Sequence, residues 1–81
     1  MSETLTLLTR AGCPLCDKLA AEVGRLLDGS GHRLDTVDVD ADALLKARYG
    51  WDVPVLLHAE TEICRHRLNL PAFRQWLRAH P

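Results

Sequence analysis

A pair of cysteines, Cys13 and Cys16, stands where the hydrophobic period of the chain changes. Before the pair, Thr4-Leu5-Thr6-Leu7-Leu8-Thr9 is rich in β-branched residues and nearly alternates, with Leu5 and Leu7 on one face. That pattern reads as a strand. After it, Leu15, Leu19, Val23, Leu26 and Leu27 recur at helical spacing until Asp28-Gly29-Ser30-Gly31 breaks the run. Pro14 suits the first turn of that helix, where its missing N–H is not needed. Cys13 is therefore expected at the mouth of a helix, and Cys16 nearly one turn inside it.

The rest of the chain continues the alternation. Residues 33–40 read as a second strand supported by Val37 and Val39. Asp40 is the expected cap of a short helix over 41–49, with Leu44, Leu45 and Ala47 inward and Gly50 as its stop. Residues 53–58 form a buried-looking strand that opens on Pro54, a position a strand tolerates. Residues 59–62 turn into a partner strand over 63–66. Asn69 caps a last helix carrying the stripe Leu70, Phe73, Trp76 and Leu77. The order is β-α-β-α-β-β-α, an α/β sheet with helices on both faces.

Length and charge exclude whole classes. With 81 residues the chain suffices for one domain, 1–81. A chain of that size buries only about 60% of its unfolded surface. Its longest apolar stretch, 53–57, is far too short to cross a bilayer, and Met1-Ser2-Glu3-Thr4 has no basic lead or apolar run of the secretory kind. The expectation is a cytoplasmic, monomeric domain with no membrane partner. Ten Lys+Arg against eleven Asp+Glu give a net charge of −1. That balance offers no general attraction to nucleic acid. The charge is unevenly spread: Asp35, Asp38, Asp40 and Asp42 crowd one stretch, while Arg65, Arg67, Arg74 and Arg78 follow Glu62.

Three cysteines, an odd number, do not make a secreted disulfide framework. In a reducing compartment a C-x-x-C pair reads as redox-active or metal-binding. The thiolate is the nucleophile, and an ordinary thiol with pKa near ~8.5 is mostly protonated at neutral pH. A helix N-terminus offers unpaired N–H groups and about half a positive charge, which lower a C-x-x-C thiol to a pKa of about 3.5–7.5. Cys13 meets that placement, so it is the expected attacking thiol, with Cys16 resolving. Arg10 is the nearest cation upstream. Val53-Pro54 is the one kind of bond at which cis is cheap, and a cis proline there would leave backbone groups free to pair with an extended thiol substrate. Cys64 reads as a packing residue. A zinc set of Cys13, Cys16, Cys64 and His66 is the competing arrangement, but C-x-H on a strand is unusual spacing. His32, His58 and His80 read as isolated and solvated, and Trp51 as core or rim packing.

The whole chain resembles the glutaredoxin-like branch of the thioredoxin-fold superfamily. The residues that carry the resemblance are the strand 5–9, Ala11-Gly12-Cys13-Pro14-Leu15-Cys16, Asp38-Val39-Asp40, Tyr49-Gly50-Trp51-Asp52-Val53-Pro54-Val55-Leu56, and Phe73-Arg74-Gln75-Trp76-Leu77. The resemblance implies a thioredoxin-like fold with a mixed four-stranded sheet, a nucleophilic Cys13, a resolving Cys16 and a cis Pro54 facing them. It implies a substrate surface of Arg10, Pro14, Leu15, Val53 and Pro54. It also implies thiol–disulfide exchange on protein disulfides or glutathione mixed disulfides, with glutathione as a candidate co-substrate and no tightly bound cofactor or metal. Two departures stand out. Leu15 occupies a position that is usually aromatic in glutaredoxins, and residues 58–66 hold no glycine where the family keeps a Gly-Gly segment against glutathione. The alternative is a thioredoxin-fold binding module whose cysteine pair senses redox state or holds a metal.

Overall fold

A computed structural model describes residues 2–81. The elements are β1 (Thr4–Thr9), α1 (Pro14–Leu27), β2 (Arg33–Asp38), a 3-10 turn (Val39–Ala41), α2 (Ala43–Tyr49), β3 (Val55–His58), β4 (Thr61–Arg65) and α3 (Leu70–Ala79). The strands form one mixed sheet in the order β2-β1-β3-β4. β1 runs parallel to β2 and antiparallel to β3, and β3 and β4 form an antiparallel hairpin. Among the described residues no helix is long and apolar enough to cross a membrane.

β1 lies centrally and sorts its leucines between two cores. Leu5 and Leu7 join Leu19, Val23 and Leu27 of α1, Leu56 of β3, and Phe73 and Trp76 of α3. Leu8 points to the opposite face, where it meets Val39, Val55 and Leu57, with Leu45 and Tyr49 of α2 packed against them. The strand's period of two thus assigns α1 and α3 to one face and α2 to the other. This is the three-layer arrangement the sequence implies.

Several boundaries and orientations differ from the sequence reading. β2 ends at Asp38 because a 3-10 turn intervenes, so α2 is capped by Asp42, whose carboxylate accepts from the N–H groups of Leu44 and Leu45. Asp40 is thereby released from capping. With only seven residues, α2 turns Leu45 and Tyr49 inward, leaving Ala47 exposed and Leu44 82% exposed. Leu26 is also on the solvent side. Val53 and Pro54 precede β3 rather than open it, and β4 begins at Thr61. The β3–β4 register shifts so that Leu56 faces Cys64 while Leu57 faces Glu62. Ile63 is the extra residue of this bulge. The bulge turns Cys64 into the core while Ile63 packs against the same cluster.

The histidines are not isolated. At the end of the sheet where β1 starts, His32 is 9% exposed, its Nδ1 accepts the Glu3 N–H at 2.9 Å, and its Nε2 faces the His80 carbonyl at 2.6 Å. Acceptance at one nitrogen assigns the ring proton to the other. His58 Nε2 lies 2.8 Å from the Glu3 carboxylate, and His80 stacks on Trp76 at 4.3 Å. His32 and His58 approach the same indole edge-on at 5.0 and 5.1 Å.

Candidate active site

At the opposite end of β1 the chain leaves the sheet through a tight turn. Gly12 takes φ +71°, in the left-handed region that favours glycine. Cys13 follows in an extended conformation as the N-cap of α1, and Pro14 occupies the first turn. The Cys13 sulfur accepts the Cys16 backbone N–H at 3.1 Å, the position a capping oxygen would otherwise fill. The Cys13 and Cys16 sulfurs lie at disulfide-bonding distance, with their Cα atoms 5.2 Å apart. Cys13 is half-buried, whereas Cys16 is 1% exposed and packed beneath it. Helical periodicity causes the difference, because a residue three after the cap faces the sheet while the cap stays at the rim. One sulfur can therefore be reached from solvent and the other chiefly through it.

The second wall of the site comes from the loop before β3. Val55 pairs with Leu8, so Val53 and Pro54 lie at the same end of the sheet as the Cys13 turn. The Val53–Pro54 peptide bond is cis, and Pro54 is buried. The Pro54 carbonyl accepts the N–H of His66, at 2.7 Å, and His66 itself adopts φ +68°. Beside it, Arg65 pairs with both Asp52 (3.1 Å) and Glu62, and His66 lies 3.5 Å from Asp52. Arg65 holds the Glu62 carboxyl below its ordinary range. The segment that lacks glycine is thus occupied by charged side chains that tie the 50–54 loop to the end of β4.

Arg10 is engaged rather than free. Its Nε and Nη2 donate to the two Asp40 oxygens at 2.8 and 3.0 Å, and its Nη1 donates to the Gly50 carbonyl at 2.9 Å. The bidentate pair holds the Asp40 carboxyl below its ordinary value. Through these bonds the loop carrying Cys13 is tied to the 3-10 turn and to the end of α2. Pro14 is exposed and Leu15 is 44% exposed beside the pair. Trp51 is 96% exposed, so it takes no part in core or rim packing. It borders a cleft of about 500 Å³ with Arg10, Lys46 and Gly50.

Cys64 stands apart in the core. Burial pushes its thiol up, against the opposing pull of the Asn69 backbone N–H. Among the described residues no three His, Cys, Asp or Glu side chains converge to hold a metal ion, so the four-ligand set Cys13, Cys16, Cys64 and His66 is not assembled. Nothing in the spacing of Asp52, Arg65 and His66 brings them together: Arg65 stands out only in the run of arginines following Glu62, and His66 only in the competing zinc set.

Comparisons with known proteins agree with this architecture. The family model described as Glutaredoxin-like domain (DUF836) matches residues 4–78. The uncharacterized protein Rv0508 of Mycobacterium tuberculosis is 34% identical, over 93% of this chain and 88% of that protein. The solution structure of protein Ne2328 from Nitrosomonas europaea superposes with a TM-score of 0.81 at 28% identity, covering 91% of this chain and 89% of that one. Thioredoxin 1 of Thermosipho africanus shares the fold, with a TM-score of 0.62 at 16% identity over 94% of this chain and 96% of its own.

Proposed function

The chain belongs to the Glutaredoxin-like domain (DUF836) family, and from that membership we propose that it is a small thiol–disulfide oxidoreductase in which Cys13 attacks and Cys16 resolves. The observation that carries this reading is the asymmetry of the pair: a rim sulfur that caps a helix and receives an N–H, with a buried sulfur in bonding reach behind it. The helix N-terminus stabilises a thiolate on Cys13 through its unpaired N–H groups and its dipole.

In the proposed cycle the Cys13 thiolate attacks one sulfur of a partner's disulfide. A mixed disulfide forms, and the other partner sulfur leaves as a thiolate that takes up a proton. Cys16, deprotonated in turn, attacks the Cys13 sulfur and expels the second partner thiol. The partner has gained two electrons and two protons, and the Cys13–Cys16 pair is oxidised. A low-molecular-weight thiol or a dithiol protein reduces it again. Val53, held in place by the cis bond to the buried Pro54, supplies the backbone edge along which the partner's chain aligns. Protein disulfides are the favoured substrates, because Arg10 is already bonded to Asp40 and the segment beside Pro54 is filled by Arg65 and His66. Glutathione then serves as reductant rather than as a firmly held ligand, in a cytoplasmic setting.

The test is exchange with a small model disulfide under steady reduction. Cys13→Ser is expected to abolish turnover, and Cys16→Ser to accumulate a mixed disulfide on Cys13 visible by intact mass. Turnover that survives Cys13→Ser would overturn the assignment.

A further inference from the structure

A groove of about 270 Å³ opens beside Leu15, between the start of α1 and the loop joining β4 to α3. Leu15 and Leu68 line its apolar part, and Lys18, Glu22, His66 and Arg67 its polar part. Around the dithiol most basic groups are committed: Arg10 and Lys46 to Asp40, Arg65 to Glu62 and Asp52, and His66 to Asp52. Lys18 and Arg67 are not. Both are exposed, and neither side chain makes an ion pair or hydrogen bond among the described residues. The groove's one carboxylate, Glu22, follows Lys18 by four residues, the weaker order for a helical ion pair, and no bond forms between them. Two more exposed arginines, Arg74 and Arg78, lie one turn apart on α3, which packs in the same layer as α1.

We propose that this groove anchors an acidic segment of the disulfide-bearing partner protein, with Lys18 and Arg67 setting the preference. The inference rests on the exchange reading above and specifies its substrate. Unpaired cations flanking leucines complement a segment in which carboxylates alternate with apolar side chains. Leu15 belongs both to the groove and to the cysteine turn, so a segment seated there brings a neighbouring disulfide to Cys13. The contribution is electrostatic, and added salt screens it.

The test compares the parent chain with the Lys18→Glu/Arg67→Glu double variant, whose substitutions lie on exposed positions outside the exchange machinery. Two disulfide-containing peptides serve as substrates, identical except for aspartate or lysine flanks, together with the neutral hydroxyethyl disulfide. The parent is expected to reduce the aspartate-flanked peptide with a kcat/KM on the order of tenfold higher than the lysine-flanked one at low salt, the gap closing as salt rises. The double variant loses or inverts the preference and keeps the parent's rate on hydroxyethyl disulfide. In parallel, a labelled cysteine-free peptide alternating Asp and Leu is titrated against both proteins, with binding expected to the parent alone. Turnover without a flank preference, or a preference that survives in the double variant, overturns the groove assignment. Should no disulfide be turned over, the exchange reading falls, and the titration alone decides: binding lost in the double variant sustains the groove, and equal or absent binding overturns it.

Discussion

His32 offers the sharpest test of how the fold is held together, because it joins three distant parts of the chain away from the dithiol. Its ring accepts the Glu3 N–H at 2.9 Å, faces the His80 carbonyl at 2.6 Å and meets the Trp76 indole edge-on at 5.0 Å. His32→Ala removes two hydrogen bonds, worth about 0.5–1.5 kcal/mol each. It also removes an aromatic contact worth about 0.5–1.5 kcal/mol. The expected loss is about 3 kcal/mol, a large share of the roughly 5–15 kcal/mol that holds a small domain folded. At about 2.1 cal/mol/K of unfolding entropy per residue, 81 residues convert that loss into a drop of about 18 °C in Tm. The assay is urea and thermal unfolding of the reduced protein followed by circular dichroism. His32→Asn is the control, since its shorter side chain keeps an acceptor for Glu3 but reaches neither His80 nor the Trp76 indole, and about two-thirds of the loss is expected. β1 separates this cluster from Cys13 by six residues, about 20 Å of strand, so exchange rates in the folded variants should match the parent. A loss below about 0.5 kcal/mol in His32→Ala would refute the reasoning. Equal losses in both variants would assign the energy to the Trp76 contact and the His80 bond, and none of it to the Glu3 bond.

Two further outcomes follow from groups whose ionisation the fold shifts. Burial keeps the Cys64 thiol protonated, so iodoacetamide near neutral pH should alkylate the reduced Cys13 and leave Cys64 unmodified until denaturant is added. Peptide mapping reads this directly, and native labelling of Cys64 would contradict the packing described. The Asp40 carboxyl is held below its ordinary value chiefly by the Arg10 hydrogen bond. Its stabilising contribution is therefore fully present above the unfolded-state value near pH ~4, and is lost as pH falls through the lower folded value. The urea midpoints of the parent and Asp40→Asn should differ at neutral pH and converge on acidification; a gap independent of pH would show that the Arg10–Asp40 pair is not its source.

The sequence was most informative where one local pattern decided the outcome. The change from period two to period 3.6 across Cys13 located β1, α1 and the cap, and the Asn69 cap and its stripe located α3. It was less informative where several residues qualified for one role. Asp38, Asp40 and Asp42 are all plausible caps. The 3-10 turn decided between them, assigning Asp42 to α2 and leaving Asp40 to Arg10. What it could not show was convergence through topology. His32 precedes β2, His58 ends β3 and His80 follows α3, and only the strand order brings them around one indole. Likewise the commitment of Arg10 to Asp40, thirty residues away, leaves no trace in spacing. Trp51 ran against the general tendency of large apolar residues to be buried, since the turn it occupies points away from both cores.

The two lateral borders of the sheet carry a consequence for assembly. Among the described residues β2 pairs only with β1, and β4 only with β3. The β2 border carries the Arg33–Asp35 ion pair and Asp38. The β4 border carries the bulge and the Glu62–Arg65 pair. Charges and irregular register are the devices by which a sheet refuses a foreign strand, because an added chain would have to bury those charges or follow the broken ladder. This sheet is thus poorly suited to lengthening sideways into stacked or fibrous assemblies.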